Sequence, residues 1–179
     1  MVLTGILYSR KQHQQERICT RQLGRLWYLD FKSLYMVESV EDVTLMGIRH
    51  DMVGAIWDKA KPHLEKALEY SDGEFQIDDV LKFLLGRTMQ LWVLYDISTH
   101  DVVMAGCTEI IDYPRSKICR VVLMGGLSMD LWQAQTPVFE DWAREQGCVQ
   151  METLARKGMA KKLIKLNYKP VYQVSRKRL

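Results

Sequence analysis

Apolar residues after Asp51 recur at spacings of three and four, a period that indicates one buried face of an α-helix. The residues on this face are Val53, Ile56, Trp57, Ala60, Leu64, Ala67 and Leu68. Pro62 lies inside the pattern. Because proline removes a helix hydrogen bond and clashes with the preceding turn, we expect a break or kink between Ala60 and His63. The Ser71-Asp72-Gly73 turn should end this helical region.

Three strand-like runs joined by short polar turns predict an antiparallel meander in the middle of the chain. The runs are Met89–Ile97, Val102–Ile111 and Lys117–Met124. The connections at residues 98–101 and 112–116 are short and polar, as in β-hairpins. Gly125 and Gly126 close the third run.

Two elements are predicted before the meander. The alternation within residues 37–48 suits a first strand. A short helix should run from Asp78 or Asp79 to Leu85, with Gly86 as its C-terminal stop. Its inward-facing residues should be Val80, Leu81, Leu84 and Leu85.

After the meander the chain should return to alternating helices and strands. We expect a helix that ends at Gly147, a strand over Cys148–Leu154, a basic amphipathic helix over Lys157–Leu166 and a final strand over Pro170–Ser175. Thr136-Pro137 marks either the start of a new helix or a kink. The predicted fold class is α/β, a twisted mixed β-sheet with helices on both faces.

Residues 1–35 lack a sustained period of either 2 or 3.6 and differ in charge from the remainder. Six Lys or Arg against two Asp or Glu give them a formal charge of +4, which leaves −1 for residues 36–179. We therefore divide the chain into a basic N-terminal arm, residues 1–35, and one domain, residues 36–179. Met36 as the native start is an alternative that the sequence leaves open. The arm lacks a recognition-helix or aromatic-platform pattern, so nucleic acid is not an expected partner.

The composition is that of a soluble globular protein, with 47% hydrophobic and 26% charged residues. No run approaches the roughly 20 apolar residues needed to span a bilayer, so we expect no membrane association.

The four cysteines are scattered without a CxxC pair, which predicts neither a disulfide framework nor a zinc site and fits a reducing cytoplasm. The four histidines are equally dispersed, and we expect no bound metal.

The order of the elements and one local block resemble the GNAT superfamily of N-acetyltransferases. In GNAT domains a helix follows the third strand of a meander, and a second helix precedes the last strand. The block Phe139–Cys148, followed by Met151-Glu152 and then Lys162–Tyr168, is similar to the helix, strand, helix and closing aromatic of small GNAT-like proteins from tailed bacteriophages. The resemblance covers residues 36–179 and implies a GNAT-like fold.

The resemblance also implies a binding site for acetyl-CoA after the third strand of the meander. GNAT enzymes hold the coenzyme A pyrophosphate on backbone N–H groups of a glycine-rich turn at a helix N-terminus, where anions are stabilised. The matching residues are Leu123, Met124, Gly125, Gly126, Leu127 and Ser128. They lack the leading Arg or Gln and the spaced third small residue of the family's loop. A tight turn that needs glycine dihedrals explains Gly125 and Gly126 equally well.

Enzymes of the family commonly use a carboxylate as general base and a tyrosine as general acid. The tyrosine should lie five residues before the closing aromatic Tyr168, at the position of Leu163, which has no proton to donate. The run Lys117–Met124 contains no carboxylate. Glu109 on the preceding strand and Glu152 on the following one are therefore the candidate catalytic bases, with surface or salt-bridge roles as the alternative.

Other reactive residue types have ordinary structural explanations. Cys107 has no histidine predicted nearby, so we expect it to pack in the core. Trp132 and Trp142 should anchor the core rather than stack on a ligand. The lysines of the last helix and the basic residues 176–178 are expected to be solvated.

Three functions follow from these patterns. The first is an acetyl-CoA-dependent N-acyltransferase that acts on an amine, with backbone groups near Leu123–Gly126 polarising the thioester and Glu109 or Glu152 activating the amine. The second is a GNAT-fold phage virion or virion-associated protein without catalysis, in the host cytoplasm or the virion, with phage structural proteins as partners. The third is a nucleic-acid-binding accessory protein that uses residues 1–35 and the basic last helix.

Overall fold

The computed structural model describes residues 43–126 and 129–178, which contain a five-stranded sheet with the strand order β1-β2-β3-β4-β5. The strands are β1 (Val43–Ile48), β2 (Met89–Asp96), β3 (Asp101–Tyr113), β4 (Ser116–Gly126) and β5 (Gln150–Thr153). The first four strands pair with their neighbours in antiparallel fashion, and β5 lies parallel to β4. The predicted meander and mixed sheet are confirmed.

Helices lie against both faces of the sheet. The helices before the meander are α1 (Val53–Leu68) and α2 (Ile77–Leu85), with a 3-10 turn at His50–Met52 in front of α1. After β4 come α3 (Met129–Ala134) and α4 (Thr136–Glu145), and after β5 comes α5 (Lys157–Leu163), followed by a 3-10 turn at Ile164–Leu166. Thr136 and Pro137 begin a new helix, which is one of the two arrangements expected there.

Two apolar cores fill the spaces between the sheet and the helices. The core on the α1 and α2 face includes the buried residues Ile56, Leu64, Val80, Leu84, Leu91 and Val93. The core on the α3 and α4 face is built around Trp92, whose ring lies 4.5 Å from that of Phe139 and 5.1 Å from that of Trp142. The Trp92 indole N–H donates to Thr108 Oγ1 at 2.9 Å, so its polar atom is satisfied inside the core. Trp132 is also buried here, and both predicted tryptophan anchors are confirmed.

Helix α1 is continuous through Pro62, so the expected break is wrong, while the alternative of a kink stays a prediction. Pro62 leaves the carbonyl of Asp58, one turn earlier, without its helix donor. Both residues are exposed, and water can therefore satisfy that carbonyl. The opposite face of the helix is buried against the sheet at Ile56, Ala60 and Leu64, which stabilises the helix on both sides of the proline.

Helix α2 matches its prediction except at Leu85. The helix begins after Gln76, whose backbone N–H donates to Asp79 Oδ2 at 3.1 Å, and it ends as predicted before Gly86. Val80 and Leu84 are buried, but Leu85 is 52% exposed. Because Leu85 lies about 100° around the helix from Leu84, it turns away from the sheet that Leu84 faces.

The predicted final strand at Pro170–Ser175 is wrong, since these residues form neither helix nor strand. Residues 169–178 are all exposed and follow the surface. The Arg176 guanidinium forms ion pairs with Asp72, at 3.2 Å, and with Glu74, both in the connection between α1 and α2. Alternating apolar residues predict a strand only when a partner strand is available, and within the described residues this segment pairs with none.

The predicted basic arm, the domain start at Met36 and residues 37–42 of the first predicted strand lie outside the described residues, and so they stay predictions. The described part of that strand, β1, is confirmed. None of the helices in residues 43–126 and 129–178 is long and apolar enough to cross a membrane.

Candidate active site

The parallel strands β4 and β5 pair over only four positions. Ile118 to Val121 of β4 lie beside Gln150 to Thr153 of β5. β4 continues to Gly126, paired on its other side with β3 as far as Met104. Beyond Val121, the β5 side of β4 therefore has no partner strand in the described part of the chain. We call this edge, Val122 to Gly126, the β4 edge.

A β-bulge lies at the start of the β4 edge. Cys107 of β3 pairs with Leu123, whereas the next residue, Thr108, pairs with Val121, so that Val122 is the extra residue on β4. A bulge of this kind bends the strand that carries it and increases its local twist. This bulge lies directly after Val121, the last residue of β4 that pairs with β5.

The predicted cofactor residues divide between the two cores and the β4 edge. Leu123 is buried on the α1 face, and Met124 packs partly buried against the opposite core. These two residues can therefore contact a ligand mainly through their backbone. Leu127 and Ser128 lie outside the described residues, so their predicted contact with a cofactor stays a prediction.

Gly125 and Gly126 occupy positions on β4 that have no room for a side chain. A Cβ on Gly125 would lie 2.0 Å from the backbone oxygen of His63 in α1. Gly126 has a φ of +147°, and a Cβ there would lie 2.7 Å from Cα of Met104 on β3. Packing of β4 against α1 and β3 thus requires both glycines, whether or not an anion binds nearby.

The two candidate bases lie on either side of one arginine. By strand register, Glu109 of β3, Arg120 of β4 and Glu152 of β5 form a row across the sheet. Arg120 Nε donates to Glu152 Oε1 at 2.5 Å, and Arg120 Nη1 donates to Glu109 Oε1 at 3.1 Å. We call these three residues the arginine–carboxylate row. Its formal charge is −1, and its side chains are partly buried.

The row lies on the α1 side of the sheet, since Glu109 follows the buried Cys107 by two residues on the same strand. Burial alone would lower the pKa of Arg120, but its hydrogen bond and charge interaction with Glu152, and then those with Glu109, raise that pKa on balance. Arg120 therefore stays charged and fixes the orientation of both carboxylates. Sequence patterns pointed to Glu109 and Glu152 but missed Arg120, which becomes visible only once the strands are aligned.

The closing aromatic, Tyr168, lies away from the β4 edge. Its backbone N–H donates to the carbonyl of Leu163 at 3.1 Å. Burial, with smaller contributions from Cys119 and Glu140, raises the pKa of Tyr168 to about 12. Cys119 belongs to the part of β4 that is paired with β5. Tyr168 therefore lies near the part of β4 that is paired with β5, and its raised pKa makes it a weak proton donor.

The described cysteines are core residues rather than nucleophiles. Burial raises the pKa of Cys107 to about 12 and, together with Cys148, that of Cys119 to about 12. Such thiols stay protonated and unreactive near neutral pH, which confirms the packing role predicted for Cys107. Within the described ranges, no three His, Cys, Asp or Glu side chains are grouped so that they could hold a metal ion.

No family profile and no curated protein matches the sequence. The fold, however, is similar to solved acetyltransferases. The aminoglycoside acetyltransferase meta-AAC0020 from an uncultured soil metagenomic sample, in complex with sisomicin, has a TM-score of 0.58 at 9% identity, over 77% of this chain and 95% of that chain. An acetyltransferase from Trypanosoma brucei has a TM-score of 0.55 at 11% identity, over 77% of this chain and 100% of that chain.

A third similar structure contains the expected cosubstrate. It is a Clostridium acetobutylicum protein described as a predicted acetyltransferase with acetyl-CoA, with a TM-score of 0.57 at 10% identity over 76% of this chain and 96% of that chain. The fold of this chain is therefore that of the GNAT-type acetyltransferases. None of these similarities bears on the resemblance to phage proteins, which stays a prediction.

Proposed function

We propose that this protein is an N-acyltransferase that binds acetyl-CoA along the β4 edge and transfers the acetyl group to an amine. The observation that carries the proposal is the end of pairing between the two parallel strands after Val121. Beyond this point the backbone groups on the β5 side of β4 have no partner strand in the described residues, and such groups can bind a ligand. A thioester carbonyl that accepts a hydrogen bond from a β4 backbone N–H becomes more electrophilic.

We expect acetyl-CoA to be bound mainly by backbone N–H groups of this chain rather than by side chains. The pyrophosphate is expected at residues 125–129, between the end of β4 and the first residue of α3. A helix N-terminus presents free N–H groups and the positive end of the helix dipole to an anion. On this proposal, the backbone N–H groups bind the pyrophosphate in place of the family's Arg or Gln and its third small residue, which are missing here.

The transfer needs a base for the attacking amine. The amine nitrogen bonds to the carbonyl carbon while the C–S bond breaks, the electron pair leaves with sulfur, and the amine gives up one proton. We assign Glu109 as the acceptor for this proton because Arg120 holds it less tightly, with one hydrogen bond of 3.1 Å, whereas Glu152 is held at 2.5 Å. Leu163 cannot protonate the thiolate, so solvent must do so, and we expect slow turnover.

Binding is tested by thermal unfolding with and without acetyl-CoA. A ligand at about 100 times its dissociation constant stabilises the folded state by roughly 2.7 kcal/mol. ADP, which has the pyrophosphate but no pantetheine arm, should stabilise less. No shift at millimolar acetyl-CoA would rule out the binding site and the enzyme together.

Catalysis is tested separately by release of free coenzyme A in the presence of a panel of polyamines, aminoglycosides and lysine peptides. Glu109→Gln should lower kcat by about a hundredfold or more, the usual contribution of a general base, without weakening the acetyl-CoA shift. Glu145→Gln, an exposed change on α4, is the matched control. Binding without turnover on any amine would instead favour the alternative of a non-catalytic GNAT-fold protein.

A further inference from the structure

The charge of residues 36–179 is separated into two regions of opposite sign. Residues 36–152 contain ten Lys or Arg against twenty Asp or Glu, a formal charge of −10. Residues 153–179, which we call the basic C-terminal segment, contain no acidic residue. Their nine cations are Arg156, Lys157, Lys161, Lys162, Lys165, Lys169, Arg176, Lys177 and Arg178. The formal charge of −1 for residues 36–179 therefore conceals a region of +9 at their C-terminal end. This region, and not the N-terminal arm at +4, is the most basic part of the chain.

Most of these cations are exposed and free of carboxylates. Arg176 is ion-paired with Asp72 and Glu74, and the Arg156 guanidinium lies 3.8 Å from the centre of the Tyr70 ring. The remaining cations whose side chains are described form no ion pair within residues 43–126 and 129–178, and all are exposed: Lys161, Lys162, Lys165, Lys169, Lys177 and Arg178. A surface with this much unneutralised positive charge attracts a polyanion.

The segment also contains an exposed aromatic residue among its cations. Tyr172 is 90% exposed and lies between Lys169 and Arg176 in a stretch without helix or strand. Its neighbour Val171 is 73% exposed. Aromatic rings of this kind stack on unpaired bases, while flanking cations follow the phosphate backbone.

We infer that the basic C-terminal segment binds single-stranded nucleic acid, with Tyr172 stacked on a base and the lysines of α5 and the following residues on phosphates. A base in a duplex is already stacked on its neighbours, so Tyr172 selects single strands. A membrane surface is disfavoured because residues 36–152, at −10, would approach the same anionic plane. A single strand can instead follow the exposed cations that have no carboxylate partner, among them Lys161, Lys162, Lys165 and Lys169.

Fluorescence anisotropy of the full chain with labelled 12-nucleotide single strands of mixed sequence, as DNA and as RNA, tests this inference. We expect binding at 50 mM salt that weakens steeply at 200 mM. Changing Lys161, Lys162, Lys165 and Lys169 together to serine should reduce the slope of log K against log salt by about three, since each phosphate contact contributes roughly 0.7 on single strands. Lys66→Ser combined with Lys82→Ser, two exposed lysines of α1 and α2, is the control and should leave the slope unchanged.

The aromatic contribution distinguishes recognition of bases from plain attraction to a polyanion. Tyr172→Ala should weaken binding about tenfold, and Tyr172→Phe should restore it, because stacking needs the ring and not the hydroxyl. Equal affinity for duplex DNA and heparin with no effect of Tyr172→Ala would overturn the inference. So would unchanged binding by the four-serine variant, absence of binding at 50 mM salt, or binding only to vesicles that contain phosphatidylserine. Circular dichroism melts confirm that each variant is folded, and acetyl-CoA is absent throughout.

Discussion

Gly125 lies where β4 passes the backbone of α1, and it has no room for a side chain. Gly125→Ala would place a Cβ 2.0 Å from the His63 carbonyl oxygen, a backbone atom that cannot rotate away. We expect the free energy of unfolding to fall by at least about 2 kcal/mol, as for other overpacked sites. Chemical denaturation of both proteins measures this difference.

The matched control is Gly54→Ala at the start of α1, where a Cβ meets nothing within 4 Å. Its free energy of unfolding should stay unchanged or rise by up to about 1 kcal/mol, since alanine favours helix. Equal effects of the two changes would contradict the close approach of β4 and α1.

The buried thiol of Cys107 should make the protein less stable in alkali. Burial raises the pKa of Cys107 to about 12, whereas the pKa of a thiol in an unfolded chain is about 8.5. Above that pH the unfolded chain loses a proton that the folded chain keeps, so the free energy of unfolding falls as pH rises toward 12. Denaturation in reductant should show a loss from pH 7 to pH 10 about 2 kcal/mol larger in the wild type than in Cys107→Val. Identical pH dependence in both proteins would mean that Cys107 is not held in the core.

The candidate bases show how far residue types alone can predict a site. Carboxylates on the strands next to the third meander strand were found from the order of elements. Arg120 was not, because its role depends on the register that places it opposite both Glu109 and Glu152. Likewise, Gly125 and Gly126 were recognised as special, but the contacts that require them come from α1 and β3, distant in sequence.

At the scale of elements, Pro62 is the least favourable residue of α1. Because Pro62 is exposed, Pro62→Ala opens no cavity, and it restores a helix donor for the Asp58 carbonyl. We expect the free energy of unfolding to rise by about 1–2 kcal/mol, less than the roughly 3 kcal/mol propensity difference because the unfolded chain also gains freedom. Thermal or chemical denaturation tests this, with Lys66→Ala on the same helix as the control. A lower free energy of unfolding in Pro62→Ala would show that α1 needs Pro62 in order to pack against β4 at Gly125.

Sequence patterns predicted the elements whose signals are local. They failed where secondary structure depends on a partner that is distant in sequence. The meander and the helix ends at Gly86 and Gly147 followed from short-range signals. Pro170–Ser175 has the alternation of a strand, yet within the described residues it pairs with no strand of the sheet. The end of β4–β5 pairing at Val121 and the bulge at Val122 also could not be predicted, because both depend on the register between strands.

At the scale of the whole molecule, the sheet is covered by α1 and α2 on one face and by α3 and α4 on the other. The acidic residues 36–152 and the basic C-terminal segment attract each other, and the ion pairs of Arg176 with Asp72 and Glu74 are a local instance. Such exposed pairs contribute about 0–1 kcal/mol each. The segment is therefore held weakly enough to exchange its carboxylate partners for phosphates.

The contribution of residues 1–35 to this molecule can be tested by removing them. All residues of the two described cores lie between Val43 and Met151, and both faces of the sheet are covered by helices from that same range. A chain that begins at Met36 should therefore fold, with a melting temperature within a few degrees of that of the full chain, because segments outside a core contribute little to its stability. Circular dichroism melts of the two proteins, at equal concentration and salt, measure the difference. A truncated chain that fails to fold would show instead that apolar residues of the arm, such as Leu26 and Trp27, belong to a core.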